Sequence, residues 1–188
     1  MLILRELTYG SRRFSELKSD LPGISANILT QRLTEMEERG LVVRTKLPPP
    51  SSVQVYEATP WALEVSPVIG KLGRWAARSP AHDPTLPLSH AAIMMSLETM
   101  IDVDRARGVE GRFGFHFGQV SYAACLADSE FRVKRGPTDG CDVVITCSPE
   151  ELAAVIYGGA PLESIGVVGD LELARRLTTL FPLPEKVA

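Results

Sequence analysis

The residue types that do chemistry are present in this chain, but rarely at the spacings chemistry needs. His82, His90 and His116 are scattered, and none is paired at helical spacing with an acidic or cysteine partner suited to zinc. Cys125, Cys141 and Cys147 lack CxxC spacing and fall in strand-like stretches, where buried, inert thiols are the usual case. They form no disulfide framework, which suits a reducing compartment. Asp102 and Asp104 lie two apart in a helical pattern, where side chains point away from each other, so they make no acid–base pair. No glycine-rich phosphate loop follows a strand: Gly158-Gly159 reads as a helix stop, Gly166 and Gly169 as strand edges. The expectation is no catalytic centre, no metal and no cofactor. One constellation stands apart. Asn27, Thr30, Gln31 and Thr34 share one face of a helical pattern, and their short groups donate and accept the hydrogen bonds that read base edges.

The elements that must position them run from Phe14 to Tyr56. A first helix over Phe14 to Asp20 is broken by Leu21-Pro22-Gly23. Ser25 supplies an N-cap oxygen for a second helix, along which Ile28, Leu29, Leu33 and Met36 recur on the apolar side and which Gly40 closes. Two β-type runs follow, residues 41–47 and 53–58, around a Pro48-Pro49-Pro50-Ser51-Ser52 tip that cannot be helical. A hairpin beside a helix-turn-helix would bring Arg44, Lys46, Ser51 and Ser52 near a phosphate backbone. Arg12 and Arg13, ahead of the first helix, are further phosphate candidates. The same pattern also fits a helical pair and hairpin used only for packing.

These residues carry a resemblance. The string LILREL…RFSEL…GIS…L…RLTEMEERGLVVR…VYEATPWALE…LGRW resembles the HxlR-type family of winged-helix transcriptional regulators nearly continuously over residues 1–78. In that family the helix after the Gly-Ile-Ser turn enters the major groove and the hairpin tip tracks the backbone. The resemblance therefore implies that Ser25, Asn27, Thr30, Gln31 and Arg32 contact double-stranded DNA. It also implies a homodimer. Family members carry a further N-terminal helix, in some with a redox-sensing cysteine. The chain joins the pattern only at Met1-Leu2-Ile3, so either the start lies upstream or the dimer is built from elsewhere.

Thr59-Pro60 reads as N-cap and first-turn proline of another helix, bearing Trp61, Leu63, Val68, Ile69, Leu72 and Trp75; by resemblance this helix builds the dimer. Residues 79–88 hold three prolines and no periodicity, a semi-rigid linker and the expected domain boundary. Beyond it the expected order is a helix over Ser89 to Arg107, a four-strand meander, a helix opened by Ser148-Pro149, a short strand and a final helix capped by Asp170. That order, with the pieces GRFGFHFG, ADSEFRV, DVVITCSPEELAAVIYGG and GVVGDLELARRL, resembles the type-two sterol-carrier-protein fold over residues 89–183. The expected fold class is thus α+β, a winged helix followed by a five-stranded sheet covered by helices. By analogy Phe113, Phe115, Phe117, Tyr122, Val143, Ile145, Leu152, Ile156, Leu177 and Leu180 wall an apolar tunnel. They equally suit a plain core.

Composition is that of a globular protein: of 188 residues, 45% are hydrophobic and 23% charged. The net charge of −3 argues against a generic nucleic-acid binder, yet residues 1–78 hold 11 basic and 8 acidic side chains, a local +3. No apolar run is long enough to span a bilayer and no signal-peptide pattern opens the chain, so the cytoplasm is the expected compartment. Together these readings predict a one-component regulator. Its residues 1–78 would bind operator DNA as a dimer, and residues 89–188 would sense a hydrophobic small molecule. The alternative is an apolar-ligand carrier whose winged helix makes protein contacts.

Overall fold

The computed structural model describes residues 1–48, 50–83 and 86–187; Pro49 of the expected hairpin tip, Pro84-Thr85 of the expected linker and Ala188 lie outside the described residues. The chain divides into two compact units, Met1–Ile69 and Gly70–Ala188.

The first unit holds α1 (Leu2–Leu7), α2 (Phe14–Asp20), α3 (Ala26–Glu38), β1 (Val42–Lys46), β2 (Gln54–Ala58), α4 (Pro60–Leu63) and the start of α5 (Ser66–Ala76). Local chemistry sets its boundaries. The Ser25 hydroxyl accepts from the Ile28 amide at 3.2 Å, capping α3. At the other end Gly40 takes φ +69°, and the Leu41 amide reaches back to the Met36 carbonyl at 2.9 Å. Thr59 joins two elements, accepting from the Ala62 amide to cap α4 while its hydroxyl donates to the Gly40 carbonyl. Strands β1 and β2 pair antiparallel from Val42↔Ala58 to Lys46↔Gln54. On the far side of β2, Arg12 and Tyr56 exchange both backbone hydrogen bonds at 2.8 Å. Helices and hairpin share one core of Leu7, Leu17, Leu21, Leu29, Leu33, Val42, Tyr56 and Ala58.

The second unit contains α6 (His90–Met100), α7 (Val103–Ala106), β3 (Gly111–Phe117), β4 (Val120–Ala127), β5 (Glu130–Arg135), β6 (Val143–Thr146), α8 (Pro149–Gly158), β7 (Gly166–Gly169) and α9 (Leu171–Thr178). Its five-stranded sheet has the order β5-β4-β3-β6-β7. Helix α6 packs on β5 and on α8, and α9 packs on β6 and β7.

Two expectations are corrected here. The meander runs through three strands, not four: β6 crosses to the other side of β3 and pairs with it in parallel, Phe113↔Val143 to His116↔Thr146. The crossing segment passes close over Gly114, where a Cβ would stand 2.7 Å from the Thr138 Cβ; glycine leaves the room the connection needs. Asp142 then docks the incoming chain, its amide donating to the Arg112 carbonyl at 2.8 Å and its carboxylate accepting from the Arg112 amide at 2.7 Å.

The helix expected over Ser89 to Arg107 ends at Met100. Asp102 interrupts it, because its carboxylate accepts from the amides of Asp104 and Arg105, capping α7, while its own amide donates to the Leu180 carbonyl. Asp102 thus caps a new helix in place of lying within one continuous helix to Arg107.

Candidate nucleic-acid interface

Helix α3 is sharply two-sided. Leu29 and Leu33 are buried in the first core with Met36 against it, while Ser25, Asn27, Thr30, Gln31, Arg32 and Thr34 are all exposed. The outward groups are pre-arranged. Gln31 Nε2 donates to Glu35 Oε1 at 2.9 Å and Arg32 Nη1 to Glu35 Oε2 at 2.7 Å, so one carboxylate holds both side chains. The Arg32 hydrogen bond, then that of Gln31, holds the Glu35 carboxyl below its ordinary value. With one N–H on Glu35, the Gln31 amide keeps a second N–H and its carbonyl, the pair that matches adenine in the major groove. The Thr30 hydroxyl is engaged with the Ala26 carbonyl at 2.9 Å and keeps its acceptor capacity.

On the hairpin, Arg44, Lys46, Ser51 and Ser52 are exposed, and Arg44 Nε lies 3.5 Å from Glu37 Oε1. Ser52 adopts φ +43° at the turn.

Arg12 is corrected. Its side chain is only 2% exposed and ion-pairs with Asp20, with Glu16 3.7 Å from its Nε. The backbone bridge to Tyr56 holds it at the base of α2, so its charge is neutralised inside the unit and does not face a phosphate. Arg13 is exposed, but the first amide it offers, its own, already donates to Glu16 Oε2 at 2.8 Å. A carboxylate thus occupies the start of α2 where a phosphate was expected.

Ile28 is corrected in the opposite direction. Assigned from its spacing to the apolar side, it is 50% exposed. Successive helical residues are turned by about 100°, so Leu29, Leu33 and Met36 fall within one narrow arc and Ile28 stands outside it. The spacing of four apolar residues concealed this; their angular positions on the helix could have shown it. Glu35, too, escaped the sequence reading.

Of the ten residues expected to wall a tunnel, Phe113, Phe115, Phe117, Tyr122, Val143 and Ile145 share one face of the second sheet, while Leu152 and Ile156 come from α8, Leu177 from α9 and Leu180 from the turn after it. Phe113, Phe115, Tyr122, Val143, Ile145, Leu152, Leu177 and Leu180 are buried, and Phe117 and Ile156 nearly as deeply. Their rings pack on one another and on two aromatics the sequence reading passed over: Phe131 lies 5.3 Å from Phe181, 6.0 Å from Phe113 and 6.4 Å from Phe115 between ring centres. His90 Nδ1 and the Tyr122 hydroxyl are hydrogen-bonded at 2.7 Å beneath Phe117. An open depression by β7 is lined instead by Leu162, Glu163, Ile165, Val167, Leu171 and Arg175.

The thiols differ in setting. Cys125, in β4, is exposed; Cys141 and Cys147 flank β6, and burial pushes Cys147 up to about 12 and Cys141 upward as well. Both are therefore protonated at neutral pH. Among the described residues no group of three or more His, Cys, Asp or Glu could hold a metal ion, and no helix is long and apolar enough to cross a membrane.

Two helices joined by a tight turn, the second presenting a polar face, with a hairpin behind them on one core, define a helix-turn-helix protein of the winged class. The HxlR-like helix-turn-helix family matches residues 1–83. YvaP of Bacillus subtilis (strain 168), described as an uncharacterized HTH-type transcriptional regulator, is 36% identical over 75 residues, covering 40% of this chain and 69% of its own length. The HTH-type transcriptional regulator YodB of the same organism is 32% identical over 75 residues, 40% of this chain and 67% of its own. The solved reduced form of YodB matches at 30% identity with a TM-score of 0.39, over 44% of this chain and 81% of that one. This chain belongs to the HxlR-like helix-turn-helix family. The sec-alkylsulfatase Pisa1 from Pseudomonas sp. matches over 52% of this chain at 14% identity and a TM-score of 0.44, which assigns neither fold nor activity.

Proposed function

We propose that the chain is a DNA-binding transcriptional regulator that acts as a homodimer, α3 lying in the major groove of double-stranded DNA. The observation that carries this reading is the outward face of α3, where Gln31 and Arg32 are held ready by Glu35 while Leu29 and Leu33 anchor the opposite face. Ser25, Asn27 and Thr30 complete the groove face, and Arg13, Arg44, Lys46, Ser51 and Ser52 serve the phosphate backbone. The homodimer is supported by an apolar stripe on α5, where Val68 is 56%, Leu72 48% and Trp75 69% exposed at spacings of four and three residues.

The test is fluorescence polarisation of the chain on its own promoter region, at several salt concentrations, with unrelated DNA as competitor. Specific binding that Gln31→Ala weakens by about tenfold or more, within the ~1–3 kcal/mol of a bidentate base contact, supports the reading. Equal affinity for promoter and competitor, unchanged by that substitution, sinks it. Leu72→Glu should convert a dimer to a monomer in sedimentation; an unchanged mass would reject the stripe as interface.

The second unit, by its resemblance to the sterol-carrier fold, is proposed to take a hydrophobic effector between the sheet and its helices, next to Phe113, Phe115, Phe117, Tyr122, Val143, Ile145, Leu152, Ile156, Leu177 and Leu180. Its interior there is largely apolar apart from the His90–Tyr122 hydrogen bond, and Met94, Met95 and Met100 of α6 supply adaptable side chains. Titration with a fatty acid should raise the unfolding temperature and change operator affinity. An effect on neither would reject an effector role.

A further inference from the structure

We propose that Ile28 reads the methyl group of a thymine in the bound half-site, making it a specificity-determining residue of the interface. The inference rests on the DNA-binding reading above. A single exposed isoleucine on an arbitrary surface means little. This one has Ser25, Gln31 and Arg32 at i−3, i+3 and i+4, so it borders the polar groove face beside Gln31 and Arg32. It is half exposed, so a large part of its apolar surface has no cover within the chain.

Its chemistry suits one feature of the major groove. Of the four bases only thymine presents a methyl there, at C5, and an apolar side chain is what pairs with it. A β-branched side chain in a helix is restricted almost to one χ1 rotamer, so Ile28 offers its methyls at a fixed place with little entropy left to lose. The helix beneath it is held in place: the Ile28 amide is bonded to the Ser25 hydroxyl, and Leu29 is fully buried next to it. Gln31, one turn along, carries the donor–acceptor pair for adenine, so the two residues together favour an A·T pair or two neighbouring ones.

The test separates this inference from the reading it rests on. The full chain selects a duplex from a random-sequence pool, and each thymine of that duplex is replaced in turn by uracil, which keeps every hydrogen-bonding group and removes only the methyl. Binding is measured for wild type, Ile28→Val and Ile28→Ala, with helix content checked by circular dichroism. Wild type should lose about fourfold at one thymine of a half-site, the worth of one buried methyl. Ile28→Ala should show no loss on uracil replacement at that position, with Ile28→Val between. Indifference of the wild type to every uracil, or an equal loss in Ile28→Ala, overturns the inference while leaving DNA binding intact. Failure to select any duplex overturns DNA binding and the thymine contact with it.

Discussion

Arg12 and Arg13 are neighbours of the same charge, and the structure predicts opposite outcomes for removing them. Arg12→Ala deletes a guanidinium only 2% exposed and leaves behind Asp20, 16% exposed, and Glu16, 35% exposed. Stranding a buried partner costs about 3–5 kcal/mol. Asp20 keeps some contact with water and Glu16 more, so the expected loss lies near ~3 kcal/mol at the low end of that range. That is a large part of the ~5–15 kcal/mol that stabilises a typical domain. Arg13→Ala removes an exposed side chain and should move stability by less than about 0.5 kcal/mol. For DNA the order reverses. Under conditions where both variants remain folded, Arg13→Ala should lower the slope of log affinity against log salt by about 1, and Arg12→Ala should leave it unchanged. Urea unfolding gives the first quantity and salt-dependent polarisation titrations the second. If Arg12→Ala unfolds with the wild-type midpoint yet loses a unit of salt slope, Arg12 is a phosphate ligand and the assignment made from its burial is wrong.

Two further outcomes follow from other parts of the chain. Glu35 is depressed by Arg32 and Gln31, so its clamp is fully present above its ordinary value of 4.5 and is lost only as pH falls through a lower one. In an NMR titration the Gln31 side-chain amide should therefore hold its shift through neutral pH and move only in acid; movement near neutrality would contradict the clamp. Gly114→Val would force a side chain into the space the Thr138 methyl occupies and should destabilise the second unit by about 1–3 kcal/mol. Thr138→Gly should restore part of that loss, and a Gly114→Val variant as stable as wild type would show that the crossover does not depend on the close approach.

Much of the first unit was legible because its determinants are local. A serine before an apolar periodic run, a glycine after it and a proline behind a threonine act through bonds to amides a few residues away, and Ser25, Gly40 and Thr59-Pro60 do what their types prescribe. Ser148 and Asp170 cap α8 and α9 for the same reason. The alternation of Phe113, Phe115 and Phe117 likewise put three rings on one face, as strand geometry requires. The nearly continuous resemblance over residues 1–78 pointed to the HxlR-type family from the sequence alone.

What tertiary structure alone decided are the properties that depend on which distant residue arrives next to which. A basic residue in a turn has no burial of its own: Arg12 became an interior ion-pair partner because β2 binds its backbone and α2 brings Asp20 to its guanidinium. Strand order was equally beyond local pattern, since hairpin turns dictate antiparallel neighbours but nothing in the β6 residues names β3 as a parallel partner. That choice came from the space above Gly114 and the docking of Asp142 on Arg112. Local hydrogen bonding wrote the elements, and long-range packing assigned the roles of the side chains they carry.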